Sequence, residues 1–247
     1  QSGVYNGARV DSIYNYTSVH GYNMNQGAVL WALAKHFLWS HDKDWLRRAA
    51  PSMLKAVDWI VTQRRQTKVL DRDGQPALSY GLLPAGQLED NTDWGYWFAV
   101  NAYASMGLTA TAEAFKKGGL PEAEHLSIEA QDYLHDLRTS IKRSIELCPV
   151  VRLRDNTYVP YVPARAYQRF RYFGPLQTGY HLRYGVDSLS DSRLYRLSAT
   201  REVLYGPMVL LTTGIIAPND PLADAILDDW EDNLTLSSSM GQNIHGI

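Results

Sequence analysis

Apolar residues recur every three or four positions along several separated stretches of this chain, the mark of amphipathic helices. The spacing predicts a first helix over about 24–40, with Gln26, Leu30, Leu33 and Phe37 on one side. After a short break at Ser40-His41-Asp42, a second covers about 44–66. Its stripe of Leu46, Ala50, Met53, Leu54, Val57, Ile60 and Val61 follows the 3.6-residue period. Pro51 falls inside it and predicts a kink or a late start. A third helix is expected from Trp94 to about Met106, ending near Gly107, with Ala110 to Lys117 adding another turn or two. Pro121 stands where a first helical residue would. It opens a fourth helix to Leu147 that buries Leu126, Ala130, Tyr133, Leu134, Leu137, Ile141 and Ile145. A fifth runs from Leu197 to Ile216 with an interruption at Gly206-Pro207, and a sixth from Pro221 to about Leu236, capped by Asp220.

The stretches between follow other patterns. Residues 1–23 are rich in Gly, Asn, Ser and Tyr and read as loop. Asp71-Arg72-Asp73-Gly74 is a turn signal. Val150–Leu153 and Tyr158–Tyr161 flank Arg154-Asp155-Asn156-Thr157 as a small β-hairpin would. The fold class expected is therefore all-α, with three antiparallel helical hairpins in one domain or a large part of one. Connections within each hairpin are short and those between hairpins long. The loops before the first helix of each pair, about 19–26, 81–93 and 179–201, should then gather on one rim. Short turns at one end and long, chemically loaded loops at the other describe a scaffold with one functional face.

One of those loops stands out. Gly81, Pro84 and Gly86 break any regular pattern, and the chain then passes Glu89, Asp90 and Asp93 before reaching Trp94, Tyr96 and Trp97. Carboxylates beside flat aromatic faces at the positive end of a helix suit the binding and cleavage of sugars. Each residue also has a plainer role open to it. Asp93 or Thr92 would serve as an N-cap, and the tryptophans would serve as core.

Composition narrows the classes. A net charge of -2 argues against a nucleic-acid surface, and the pairs Arg47-Arg48 and Arg64-Arg65 lie in helical pattern as solvated faces would. Sixteen Tyr and seven Trp against five Phe favour surfaces where an aromatic packs on one side and meets a wet ligand on the other. The single cysteine, Cys148, excludes an internal disulfide framework and reads as a small buried hydrophobe near a helix end. No apolar run approaches 18 residues, so no membrane span is expected. The histidines show no metal-ligand spacing, and neither a phosphate-binding Gly-rich loop after a strand nor a Gly-x-Ser-x-Gly elbow is present. No metal or cofactor is expected.

Two segments carry a family resemblance. The run from Asn25 to Leu46 resembles the first hairpin of the six-hairpin glycosidases. Gly81-Leu82-Leu83-Pro84, followed by Glu89-Asp90 and Trp94-Gly95-Tyr96-Trp97-Phe98, resembles their second. The resemblance covers about residues 20–115. It implies an (α/α)6 toroid of six inner and six outer helices and a glycoside hydrolase acting on an oligo- or polysaccharide. Six helices in place of twelve imply about half a toroid, its open apolar edge covered by a second copy or by further chain. A glycan substrate favours a secreted or periplasmic setting.

In inverting families of this type one carboxylic acid protonates the glycosidic oxygen and a second carboxylate activates water. Glu89 is the choice for the acid, since nearby aromatic surface would desolvate it and raise its pKa. Asp90 would reinforce that as a close like charge or bind a hydroxyl. Glu202 is a candidate second carboxylate, with helix-dipole stabilisation as its plainer role; the alternative is a second carboxylate outside this chain. Expected sugar contacts are Asp93, Trp94, Tyr96, Trp97 and Asn101, with His20 and Tyr22 from the first rim loop and His181 and Tyr184 from the third. Arg165, with Arg169 and Arg171, points to an anionic sugar. Two other classes stay open: a polysaccharide lyase using His181, Tyr184 and Arg183, and a non-catalytic helical binding module.

Overall fold

A computed structural model describes residues 4–5, 9–10, 24–86, 95–168 and 206–232. Helix dominates among them, with six α-helices against two two-stranded antiparallel sheets. The chain divides into two compact units, Gln1–Ser140 and Ile141–Ile247, and one helix runs across their boundary.

In the first unit, α1 (Met24–Ser40) and α2 (Lys43–Thr67) form the expected hairpin. His41 closes α1 in the left-handed region at φ 55° and donates its backbone N–H to the Phe37 carbonyl at 2.8 Å. Asp42 then caps α2 by accepting from the Trp45 N–H at 2.8 Å. Pro51 sits within α2 without ending it. Its position is exposed, so the Arg47 carbonyl that it leaves without an amide partner lies on a solvent-facing side of the helix. Residues 1–23, expected to be loop throughout, include a short antiparallel pairing of β1 (Val4–Tyr5) with β2 (Arg9–Val10).

The third helix departs most from expectation. It is one unbroken element, α3 (Phe98–Gly118), with Trp97 at its N-cap position. Neither Thr92 nor Asp93 therefore caps it. Gly107 does not end it either, because Gly107 is a packing residue. A Cβ there would lie 2.2 Å from the Gly27 carbonyl oxygen, and one at Gly27 would lie 2.3 Å from that of Tyr103. The two glycines let α1 and α3 approach backbone to backbone. Phe37 and Gly118, near the other ends of the two helices, also meet. The first helices of the two hairpins are thus neighbours running parallel. α3 is buried on most sides, leaving a narrow exposed stripe of Thr109, Glu113, Lys116 and Lys117. It ends in a Schellman motif: Gly119 at φ 74° donates to Lys116 and Leu120 to Phe115.

Pro121 lies in the turn that follows, and α4 (Ala123–Glu146) begins two residues later. Leu126, Ala130, Tyr133, Leu137 and Ile141 are buried as the pattern predicts, while Leu134 and Ile145 are half-buried. In the second unit, β3 (Val150–Arg152) pairs with β4 (Tyr158–Pro160) about a turn in which Asn156 adopts φ 69°. The Asp232 carboxylate holds this hairpin to the end of the last helix, accepting from the Arg154 backbone N–H at 2.8 Å and its Nε at 2.6 Å. Of the fifth predicted helix the described part is α5 (Met208–Thr212), with Pro207 at its N-cap position. α6 (Pro221–Asp229) opens on Asp220 as predicted, its carboxylate accepting from the Leu222 N–H at 2.9 Å.

Candidate functional site: the anchored neck of the acidic loop

The described residues on either side of the segment that carries Glu89 and Asp90 form a stem fixed at several points. Its entering limb, residues 78–86, is held at successive points. Ser140 Oγ donates to the Leu78 carbonyl at 2.5 Å, Arg64 Nε to the Gly81 carbonyl at 2.8 Å, and Thr67 Oγ1 to the Leu82 carbonyl at 2.5 Å. The Leu83 N–H donates to Asn101 Oδ1 at 2.7 Å. Gly86 and Gly95 then exchange two backbone hydrogen bonds of 3.1 Å, closing the neck between the two limbs. Trp97 on the leaving limb adds a third tie, its Nε1–H donating to the Gly86 carbonyl at 3.2 Å.

Beneath the neck lies a charged network that the sequence pattern did not foretell. Arg64 was expected on a solvated face, but it is 1% exposed. Its Nη2 donates to Asp136 at 2.8 Å and to Asp132 at 2.9 Å, and its guanidinium lies 4.1 Å from the centre of the Tyr133 ring. Glu129 adds a more distant charge at 3.7 Å. Lys68 reaches Asp132 at 2.7 Å and Asp136 at 3.2 Å. Two signals were available. Position 64 continues the Leu46–Ile60 stripe, and Glu129, Asp132 and Asp136 share a helix face. Arg65, Arg47 and Arg48 are exposed as expected.

Gly81 belongs to the same network. It sits at φ 69°, and a Cβ on it would fall 2.0 Å from Asp136 Oδ2. Both the turn and the carboxylate beneath it therefore require glycine. The titration behaviour follows from the pairing. Burial works against the Lys68 ammonium, but hydrogen bonds to Asp132 and Asp136 outweigh it and raise the pKa. Burial likewise works against the Asp132 carboxylate, and donation from Lys68 and Arg64 outweighs it and lowers the pKa. The Tyr133 phenol is pushed well up, chiefly by burial, and stays a neutral donor to Asn101 Oδ1 at 2.8 Å.

Trp97 and Asn101 are placed otherwise than a sugar contact would be. Trp97 is 3% exposed and Asn101 1%, and their polar atoms are turned into the stem. They are internal struts of the stem, tying Gly86 and Leu83 to the start of α3. Tyr96, between them and Gly95, is half-buried. Arg165 is half-buried in the second unit, where its carbonyl accepts from the Gln168 N–H at 3.4 Å. Cys148 is half-buried rather than buried, with Sγ 3.2 Å from the Gln168 carbonyl. Glu89, Asp90, Asp93, Trp94, His20, Tyr22, Arg169, Arg171, His181, Arg183, Tyr184 and Glu202 lie outside the described residues. Among the described residues no cluster of His, Cys, Asp and Glu is arranged to hold a metal ion, and no helix is long and apolar enough to cross a membrane. No protein-family model, curated protein or solved structure matches this chain.

Proposed function

We propose that this chain belongs to a glycoside hydrolase built from helical hairpins, with the segment between Gly86 and Gly95 supplying the general acid. The observation that carries the reading is the parallel pairing of α1 with α3. Gly27 meets the first half of α3 and Phe37 its end, so both helices start on one side of the unit. In the sequence, the residues before α1 are rich in Tyr and His and those before α3 in acids and aromatics. An (α/α)6 toroid has this relation between successive inner helices, and the toroid itself is part of the proposal. Rigid support is the second argument. A general acid must be held at a fixed distance from the leaving oxygen, and sites held by a packed and hydrogen-bonded stem achieve that.

In this mechanism Glu89, or Asp90 beside it, gives its proton to the departing glycosidic oxygen. A second carboxylate, from Glu202 or from outside this chain, takes a proton from the water that attacks the anomeric carbon, with inversion. The test is to incubate the full chain with a panel of neutral and anionic glycans. The expected result is release of reducing sugar without an unsaturated product, with the first-formed anomer inverted by NMR. Unsaturated uronate absorbance would instead indicate a lyase. Binding without cleavage across the panel would leave a carbohydrate-binding module.

A further inference from the structure

Among the described residues, three other than glycine adopt left-handed φ: His41 at 55°, Asn156 at 69° and Tyr167 at 66°. Two have a local reason. His41 closes α1 and Asn156 completes the turn between β3 and β4, and both residue types tolerate this region. Tyr167 is different. It is the third residue of the turn Arg165–Gln168, which the Gln168 N–H closes by donating to the Arg165 carbonyl at 3.4 Å. Ala166 is not left-handed, so the turn is of type II, whose third position calls for glycine or asparagine. A bulky aromatic there is an outlier. The turn around it is firmly held. Gln168 is buried; its Oε1 accepts from the Ala164 N–H at 3.1 Å and its Nε2 donates to Tyr161 Oη at 2.6 Å. Its carbonyl accepts from Cys148 Sγ at 3.2 Å. Ala164 and Ala166 are buried as well, whereas Tyr167 is 49% exposed.

A glycine at this position would relieve the backbone, and about half of the tyrosine stays in water, so stability does not account for the residue. Strain of this kind persists where a rigid surround imposes it, and it gathers at sites that hold ligands. We propose that Tyr167 is a glycan-contact residue of the second unit, its ring stacking on the face of a sugar. The electron-rich face of the ring attracts the C–H groups on the flat side of a pyranose, and the phenol at its edge meets hydroxyls. The ligand class rests on the hydrolase reading; the strained presentation of the ring does not.

The test compares Tyr167→Gly and Tyr167→Phe in the full chain, with Tyr158→Ala as control. Tyr158 is 63% exposed in β4 of the same unit and has no left-handed backbone. Kd is read by titration calorimetry for the tightest-binding member of a panel of neutral and uronate-bearing hexasaccharides, and stability by thermal melting. Tyr167→Gly should weaken binding roughly tenfold or more, the loss expected when about half of an aromatic ring is stripped of contact. Tyr167→Phe keeps the stacking face and should stay within about threefold of the parent. Tyr158→Ala should bind as the parent does. Tyr167→Gly should also raise Tm by about 2 °C, because glycine enters the left-handed region freely. A fall in Tm would overturn the proposal, since the ring would then be holding the fold. Equal weakening in Tyr158→Ala would overturn it too. Unchanged binding by Tyr167→Gly, in a parent that cleaves glycans, would sink this inference and leave the hydrolase reading standing. A parent that neither binds nor cleaves any glycan would sink that reading and this ligand with it, whatever the melting temperatures.

Discussion

Arg64 joins α2, α4 and the loop stem through one guanidinium. Replacing it with Met would leave Asp136 buried beside Tyr133 without its closest donor. Removing one partner of a buried pair costs about 3–5 kcal/mol. The lower end is expected here, because Asp132 retains Lys68 and its side chain is 44% exposed. Urea denaturation of Arg64→Met should show that loss, whereas Arg65→Met on the exposed neighbour should be within about 0.5 kcal/mol of the parent. The same network sets a pH dependence. The Lys68 pKa is raised from its ordinary 10.5, so its stabilisation is complete below that value and is lost as pH rises through the higher folded value. The Asp132 pKa is lowered from 3.8, so its contribution is present above that value and is lost as pH falls through the lower folded one. Lys68→Met should therefore flatten the alkaline limb of a plot of urea midpoint against pH, and shift the acid limb upward. An alkaline limb identical to the parent's would show that the Lys68 pairs contribute nothing.

Among the elements, the α1–α3 contact is the most exacting. With Cβ positions 2.2–2.3 Å from opposing carbonyl oxygens, Gly27→Ala and Gly107→Ala cannot be absorbed by a side-chain rotation. The helices must separate, and overpacking of this kind costs about 1–3 kcal/mol or more. Both substitutions favour helix intrinsically. A fall in melting temperature would therefore report the packing, and a rise would refute the close approach. Asp42→Ala should cost about 1 kcal/mol through loss of the α2 cap. These elements also show what local sequence reveals. The stripes of α1, α2 and α4 were legible because burial of one helix face imposes its period. The turn at Asp71–Gly74 and the hairpin around Arg154–Thr157 were legible because few residues fit those dihedrals. Gly107 was misread as a helix end because the residue that requires it, Gly27, lies 80 positions away. Arg64 was misread for the same reason, since Asp132 and Asp136 are 68 and 72 residues distant. Trp97 and Asn101 were open to a sugar-contact or a structural role because their residue types suit both, and only packing decides which way a side chain turns.

For the chain as a whole, a sequence stretch loaded with acids and aromatics before α3, a net charge of -2 and the parallel α1 and α3 of the first unit are the features at hand. The proposal that it cleaves glycans gathers these features around the acidic loop, and its sharpest exposure is Glu89. In the intact protein Glu89→Gln keeps shape and hydrogen bonding but cannot give a proton to the leaving oxygen. General acid catalysis contributes roughly 10²–10⁴-fold, so kcat on an unactivated glycoside should fall by that order with substrate binding little altered. Measuring kcat for a series of glycosides with leaving groups of decreasing pKa, in the parent and in Glu89→Gln, tests this most directly. The account predicts a steep dependence in the variant and recovery of much of the rate with nitrophenyl leaving groups. A defect of equal size across the series would contradict it.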